Sequence, residues 1–449
     1  MREMKDCGIE WAGNIPNNWI IKPYRNIITQ RDGGAWGTDP TEDNQMICMR
    51  IADFDYEKFE FSSKPIENLT KRKYTKRQIL NLSLQPGDIL IEKSGGGEKT
   101  PVGRAVIFDK EYPALFANFM DRIRVNNNEV IPRFVVYWLG AWYGCKGSPY
   151  FINQTTGIQN IALTLFLAKA HICYPKLEEQ RAIVDFLDAK CADIDSLTGD
   201  IQKQIDILKE YKKSVITQAV TKGIDPNVEM KDSGVAWIGK IPMTWHIVRL
   251  KYLTTDIFDI DHYMPKDSNE EDSIPYLMIG DLRENLSSVK FSKCKKISKR
   301  DYLSLSKKNK SQIGDVVFAR YATIGTVCYI DLNKNFLVSY ACLTIKPKKH
   351  ILGKYLYYYL KSNDFYNEAM GIINANTQGN IGKESLRNVG IVLPNLQLQE
   401  KIINFLDSKC ADIDAAIAGK QKQLDVLKEY KKSLIYEDVT GKKEVPCRE

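Results

Sequence analysis

Met4-Lys5-Asp6-Cys7-Gly8-Ile9-Glu10-Trp11-Ala12-Gly13-Asn14-Ile15-Pro16-Asn17-Asn18-Trp19 returns as Met230-Lys231-Asp232-Ser233-Gly234-Val235-Ala236-Trp237-Ile238-Gly239-Lys240-Ile241-Pro242-Met243-Thr244-Trp245. A second phrase, Phe186-Leu187-Asp188 to Cys191-Ala192-Asp193-Ile194-Asp195, returns as Phe405-Leu406-Asp407 to Cys410-Ala411-Asp412-Ile413-Asp414. Behind it, Leu208-Lys209-Glu210-Tyr211-Lys212-Lys213-Ser214 reappears as Leu427-Lys428-Glu429-Tyr430-Lys431-Lys432-Ser433. A period near half the chain is too long for a solenoid of short units and implies two domain-sized copies. Two similar faces suit a partner that itself has two sites. The unequal stretches between the repeats indicate that those sites differ. The repeat is also circular, because no Trp-x-Gly-x-Ile-Pro phrase follows the second copy of the helix. The N-terminal copy supplies it if the chain ends meet.

Glu178 to about Lys222 holds one glycine, Gly199, and no proline. Its apolar positions, Ile183, Leu187, Cys191, Ile194, Leu197, Ile201, Ile205, Leu208, Tyr211 and Val215, step by three and four. That spacing averages near the period of a coiled-coil seam. Ile402, Leu406, Cys410, Ile413, Ile417, Leu424, Leu427, Tyr430 and Leu434 repeat it. Each helix follows a proline, Pro175 or Pro394, and about 45 residues give a rod of roughly 65 Å. One such helix cannot bury its stripe alone. The expectation is an antiparallel intramolecular coiled coil of the two; separate amphipathic helices, each packed on its own domain, are the competing arrangement. Between them lie α+β segments of about 150 residues. There, runs such as Ile89-Leu90-Ile91, Val316-Val317-Phe318 and Val389–Leu393 alternate with turn signals at Pro86-Gly87-Asp88 and Gly314-Asp315. Helical patches around Phe134–Trp142 and Tyr355–Leu360 interrupt the strands. The repeat persists weakly here. Thr70-Lys71-Arg72-Lys73-Tyr74 matches Ser298-Lys299-Arg300-Asp301-Tyr302, Pro86–Ile89 matches Ile313–Val316, and Arg50–Phe54 matches Met278–Leu282.

At 449 residues, 43% hydrophobic and 27% charged, the chain reads as globular with two to four domains. The start is charged with no apolar core behind it, and no apolar run approaches a membrane span, so the expected location is cytoplasmic. Ten cysteines include no Cys-x-x-Cys pair, and four histidines leave little for zinc. Cys191 and Cys410 read as small core residues. The formal charge of +8 concentrates in the segments from about 20 to 175 and 246 to 394. A merely solvated lysine surface accounts for this, as does a polyanionic partner.

No catalytic motif stands out. Gly379-Asn380-Ile381-Gly382-Lys383-Glu384 lacks the spacing and hydroxyl of a phosphate loop. Pro86-Gly87-Asp88 with Glu92-Lys93 faintly resembles a metal-dependent nuclease, but the acid and lysine are adjacent and become Ala319-Arg320 in the second copy. Binding features are richer. Lys71-Arg72-Lys73-Tyr74-Thr75-Lys76-Arg77 places five cations in seven residues, and Lys293 to Lys310, with Lys299, Arg300, Lys307 and Lys308, carries eight in eighteen. Such clusters neutralise phosphates without reading bases. Lys93-Ser94-Gly95-Gly96, with Arg104 behind it, offers backbone donors and cations. Arg320, Tyr321 and Thr323 stand at the matching place. Gln159, Asn160, Gln378 and Asn380 are either base readers or turn formers.

The chain resembles type I restriction–modification specificity subunits. The resemblance rests on Gly8–Pro16 and its repeat, Gln85-Pro86-Gly87-Asp88, Ala322-Thr323-Ile324-Gly325 and Pro175-x-x-Glu178-Glu179-Gln180-Arg181, the last altered to Gln399-Glu400-Lys401 in copy two. It implies target recognition domains over 1–175 and 224–394, long helices over 176–223 and 395–449, and a pseudo-two-fold circular arrangement. Each domain would read one half of an asymmetric bipartite site in double-stranded DNA. The helices would set the spacer and dock two methyltransferase subunits. The chain itself would bind no cofactor and catalyse nothing. Partners would hold S-adenosylmethionine, and translocase–nuclease subunits would bring ATP and Mg for restriction. The competing reading is a non-enzymatic coiled-coil adaptor with two protein- or polyanion-binding domains.

Overall fold

The computed structural model of the chain describes residues 2–155, 158–260, 263–307, 310–321, 324–372 and 380–445. It resolves into two compact units, Met1–Ile201 with Lys422–Glu449, and Gln202–Gln421. Each long helix, Leu177–Thr221 and Leu396–Val439, contributes to both.

The first unit opens on the hairpin Met4–Asp6 with Asn14–Pro16, in the register Met4↔Pro16. Its main sheet runs Ile28–Gly33, Met120–Val125, Ile89–Glu92, Ala105–Ile107, Glu60–Phe61, Phe54–Asp55. The apolar run in the middle of that sheet is continuous because both faces are covered. Ile89 and Ile91 face the cluster built on the helix Pro132–Gly144, and Leu90 faces a second cluster with Cys48, Phe61 and Phe116. The second unit repeats the scheme. Its hairpin keeps the register Met230↔Pro242, and its sheet runs Thr254–Phe258, Cys342–Pro347, Val316–Ala319, Val327–Tyr329. Val316 and Phe318 pack with the helix Gly353–Leu360, while Val317 and Ala319 point to the other cluster.

The repeated phrases are anchors. Asp188 accepts from Tyr137 at 2.5 Å and Arg133 at 2.9 Å. Asp407 does the same with Tyr358 at 2.6 Å and Lys354 at 2.7 Å. Gly223 packs on Trp245, and Gly441 packs on Trp19. The first contact joins neighbouring chain. The second closes the first unit with its last residues, where Lys442 also donates to the Ala12 carbonyl.

Two alignments read from sequence need correction. The helices Lys76–Leu82 and Lys299–Leu305 are capped by Thr75 and Ser298, each hydroxyl accepting from the third helical N–H. Lys299-Arg300 therefore corresponds to Lys76-Arg77, not to Lys71-Arg72, which lie on a strand. A hydroxyl followed three residues later by Gln78 or Asp301, where Thr70 is followed by Lys73, was the signal. Likewise Gln180 matches Gln399, because both are fully buried and make the same three bonds. Gln180 takes Ile131 N and donates to the Glu129 and Pro175 carbonyls; Gln399 takes Leu352 N and donates to the His350 and Pro394 carbonyls.

The seam also shifts. Leu197, Tyr211 and Tyr430 are 54%, 47% and 51% exposed. A straight helix drifts about 20° per heptad from a 3.5-residue repeat, so the buried stripe reaches Lys212 and Lys431 instead.

Candidate nucleic-acid interface

The Gly-Asp turn delivers the central strand in both units. Gly87 and Gly314 have φ of +95° and +92°, a conformation that favours glycine. Asp88 and Asp315 accept from the backbone N–H of Gln85 and Gln312 at 2.9 and 2.8 Å. Asp88 also receives Arg124 at 2.5 Å, and Arg122 lies 3.7 Å away. Four residues on, Glu92 is buried against Arg104 at 2.9 and 3.1 Å. Burial works against the Arg104 charge, but Glu92 outweighs it and holds the guanidinium pKa up. Arg104 also lies 3.6 Å over the Tyr56 ring. Both carboxylates of the nuclease-like grouping are thus occupied by guanidinium groups, and Arg104 is committed inward.

Beyond Glu92 the chain turns outward. Ser94 and Gly95 pair with Asn160 and Gln159, and Ile161 N donates to the Lys93 carbonyl at 2.9 Å. Residues more than sixty positions apart are thereby joined in one small sheet with Ile152–Thr155. Gly96 follows at its edge. Lys93 shares Asp121 with Arg31, at 2.7 and 2.8 Å. Asn160 is exposed; Gln159 is buried, and its Oε1 has no partner among the described residues. Asn153 lies directly across from Asn160 and is equally exposed. Sequence reasoning passed over it, although Ile152-Asn153-Gln154 and Gln159-Asn160-Ile161 mirror each other in sequence.

Lys71 and Arg72 sit on a different sheet, with Lys73 after them and Lys76 and Arg77 opening the capped helix. Lys71, Lys73, Lys76 and Arg77 are exposed. Arg72 bonds Asp39 at 2.7 Å and stacks 4.7 Å from Trp36, which is 41% exposed. One strip connects this group to Lys93. A Cβ on Gly33 would sit 3.2 Å from Lys93 Nζ, and one on Gly37 would sit 2.6 Å from the Lys73 carbonyl. Gly34 lies so close to Ala117 that a Cβ would be 2.1 Å from its carbonyl oxygen. Trp36 rides this strip as a second residue missed from sequence; Gly33-Gly34-Ala35-Trp36-Gly37 was its signal. Cations, an exposed ring and paired carboxamides are chemistry suited to phosphates, base faces and base edges.

The second unit fills the same frame differently. Ile381 N donates to the Arg320 carbonyl at 3.2 Å, which seats Asn380 beside Arg320 as Asn160 sits beside Lys93. Arg320 is buried, however, paired with Asp259 at 2.9 Å and 5.0 Å over Tyr321. Lys299 pairs with Asp272 at 3.3 Å, and Arg300 and Lys307 are exposed. Lys308, Thr323 and Gln378 lie outside the described residues.

Comparison with known proteins bears on this arrangement. A family model described as type I restriction modification DNA specificity domain matches residues 53–206 and 242–426. The type I restriction enzyme MjaVIII specificity subunit of Methanocaldococcus jannaschii is 29% identical, covering 68% of this chain and 70% of that protein. The EcoKI specificity subunit of Escherichia coli K12 is 21% identical over 90% of this chain and 84% of its own length. A chain solved in work on complex assembly and conformational transition of the type I R-M system has the same fold. It has a TM-score of 0.68 and 16% identity, and the match covers 95% of this chain and 98% of that one.

Proposed function

This chain belongs to the type I restriction modification DNA specificity family, and from that membership we propose that it addresses a methyltransferase to an asymmetric, two-part DNA site. The observation that carries the reading is one frame with two dissimilar faces. The Gly-Asp turn, the capped Lys-Arg helix and the backbone bond from Ile161 to Lys93 or from Ile381 to Arg320 recur, while Lys93 and the Glu92–Arg104 pair give way to a buried Arg320 behind Ala319.

In this reading the recognition domains span 1–175 and 224–394, and the long helices span 176–223 and 395–449. Lys71, Arg72, Lys73, Lys76 and Arg77 track phosphates in one half; Lys299, Arg300, Lys307 and Lys308 track them in the other. Lys93, Ser94, Gly95, Gly96 and Asn160 face bases, with Gln159 buried behind them, and Tyr321, Thr323, Gln378 and Asn380 face bases in the other half, with Arg104 and Arg320 as inward supports. The helices pair antiparallel as a coiled coil that sets the spacer, in a pseudo-two-fold circular arrangement. The chain does no chemistry itself. S-adenosylmethionine belongs to the methyltransferase, and ATP and Mg belong to translocase–nuclease subunits that join for restriction. None of the described helices is long and apolar enough to cross a membrane, which accords with a cytoplasmic complex.

Two identical partners fit a surface that the repeat preserves. Gln202–Ser214 and Gln421–Ser433 differ only at Ile205/Leu424 and Ile207/Val426, although most of these side chains are exposed. Packing does not constrain exposed residues, so their identity points to a common partner. Ile207 with Tyr211, and Val426 with Tyr430, place an exposed apolar pair at helical spacing in each copy. Tyr211→Glu should reduce bound methyltransferase from two copies to one by native mass spectrometry, and the double variant with Tyr430→Glu should bind none. Retention of both copies by the double variant would exclude this surface.

Genome-wide methylation mapping with and without the gene tests the function. A bipartite motif that disappears on deletion is expected; an adaptor would leave methylation untouched. The phosphate assignment has its own measurement. Replacing Lys71, Lys73, Lys76 and Arg77 with Gln should weaken all duplexes alike and flatten the salt dependence of binding by about 0.9 per lost contact. A change in which bases are preferred would instead make these residues readers.

A further inference from the structure

We propose that Lys212 and Lys431 are a matched pair of positioning residues, each pinning one recognition domain to the long helices so that only one spacer length is accepted. The inference rests on the bipartite-site reading above. Lys431 Nζ lies 2.6 Å from Asp195 Oδ1 on the other long helix and donates to the Glu57 carbonyl of the globular part at 2.7 Å. Lys212 Nζ lies 2.7 and 2.8 Å from Asp414 and 3.0 Å from Glu284, again a globular residue. Asp195 and Asp414 are equivalents in the repeated phrase, as are Lys212 and Lys431. The same three-way junction is therefore built once in each unit from corresponding residues.

Stability alone does not account for it. Both side chains are largely buried, at 13% and 11% exposure. An apolar residue of similar volume in place of a buried ion pair is commonly as stabilising or more so, because desolvation cancels the Coulomb gain. A lysine also gives up rotamer freedom when fixed. What an ammonium offers instead is direction. Its donors meet acceptors on two different elements, which fixes the rotation and height of the domain against the helix. An oily contact, which is non-directional, leaves both free to slide. The two junctions also differ in kind. Unit one ends on a backbone carbonyl, and unit two on Glu284, a carboxylate that Lys361 also holds. Burial opposes the charges of Lys212 and Glu284. The partners outweigh it, raising the lysine pKa and lowering the carboxyl pKa.

The test uses the full chain with its methyltransferase in cells, with methylation mapped for Lys431→Met and Lys212→Met. Each should keep both half-sites and raise methylation by about tenfold at sites whose spacer differs by one base pair. Arginine at the same positions should restore the original spacer. Glu284→Gln should relax the spacer through unit two while leaving the unit-one junction intact, and it serves if a methionine variant does not accumulate. Uniformly weaker methylation at an unchanged spacer would overturn the proposal, since a merely structural role predicts that result. Absence of any bipartite motif in the unaltered protein would instead overturn the functional reading beneath it.

Discussion

Trp19→Ala should destabilise the first unit by about 4 kcal/mol and release the residues that follow the second long helix, the range for deleting a buried tryptophan. Trp19 is almost fully buried, edge-on to Phe134 at 6.2 Å, with its indole N–H donating to Glu179 at 3.3 Å. Glu179 in turn holds Arg2, which also reaches Glu444 at 3.4 Å. Gly441 approaches the ring so closely that a Cβ there would lie 2.9 Å from it. One side chain therefore ties the opening hairpin, the first long helix and the last described residues together. Urea unfolding gives the energy, and hydrogen exchange at residues 437–445 reports the release. Unchanged protection of that segment in the variant would show that Trp19 is not its anchor. Trp245→Ala, facing Gly223, should cost a similar amount without freeing a chain end.

Asp438→Ala should do the opposite and stabilise. Asp438 is fully buried, and neither carboxylate oxygen has a hydrogen-bond partner among the described residues. Burial, only partly offset by Lys443, pushes its pKa up to about 6 from 3.8. A carboxyl with a raised folded-state pKa costs nothing below the unfolded pKa. Its penalty grows as pH rises from about 4 and is complete above about 6. At pH 8 the shift corresponds to about 3 kcal/mol by linkage, and about 2 kcal/mol is a reasonable expectation after screening. The equivalent position in the first helix is Ala219, itself buried, so the smaller side chain suits this environment. Denaturation of both proteins from pH 4 to pH 8 checks the sign. A stability gap that stays constant with pH would mean the carboxylate finds a partner in solution.

The frame was legible because it is written twice. Trp-x-Gly-x-Ile-Pro, the Phe-Leu-Asp phrase and the Gly-Asp turn each do one structural job, and each job recurs. What sequence hid had physical causes. Lys212 and Lys431 escaped because a 3.5-residue count placed the neighbouring tyrosines on the stripe. The true helical period, with its slow drift, brings in the lysines. Thr75 and Ser298 escaped because matching by charge overrode matching by cap. Lys93 and Asn160 come together through strand pairing across more than sixty residues, which no local pattern encodes. Trp36 was passed over for a simpler reason: a lone aromatic in a glycine-rich stretch looks like loop until its neighbours in space are known.

The way Gly441 closes on Trp19 also sets an order of events during synthesis. Unit two is a continuous stretch, Gln202–Gln421, whereas unit one needs Lys422–Glu449 to finish what Met1–Ile201 begins. At the usual elongation rate of about 5–20 residues per second, the first hairpin and its tryptophan emerge many seconds before their covering segment exists. The later half of the message therefore completes its fold first. Until then the earliest residues present an unfinished apolar face, which makes them the point where a holdase chaperone would engage this protein.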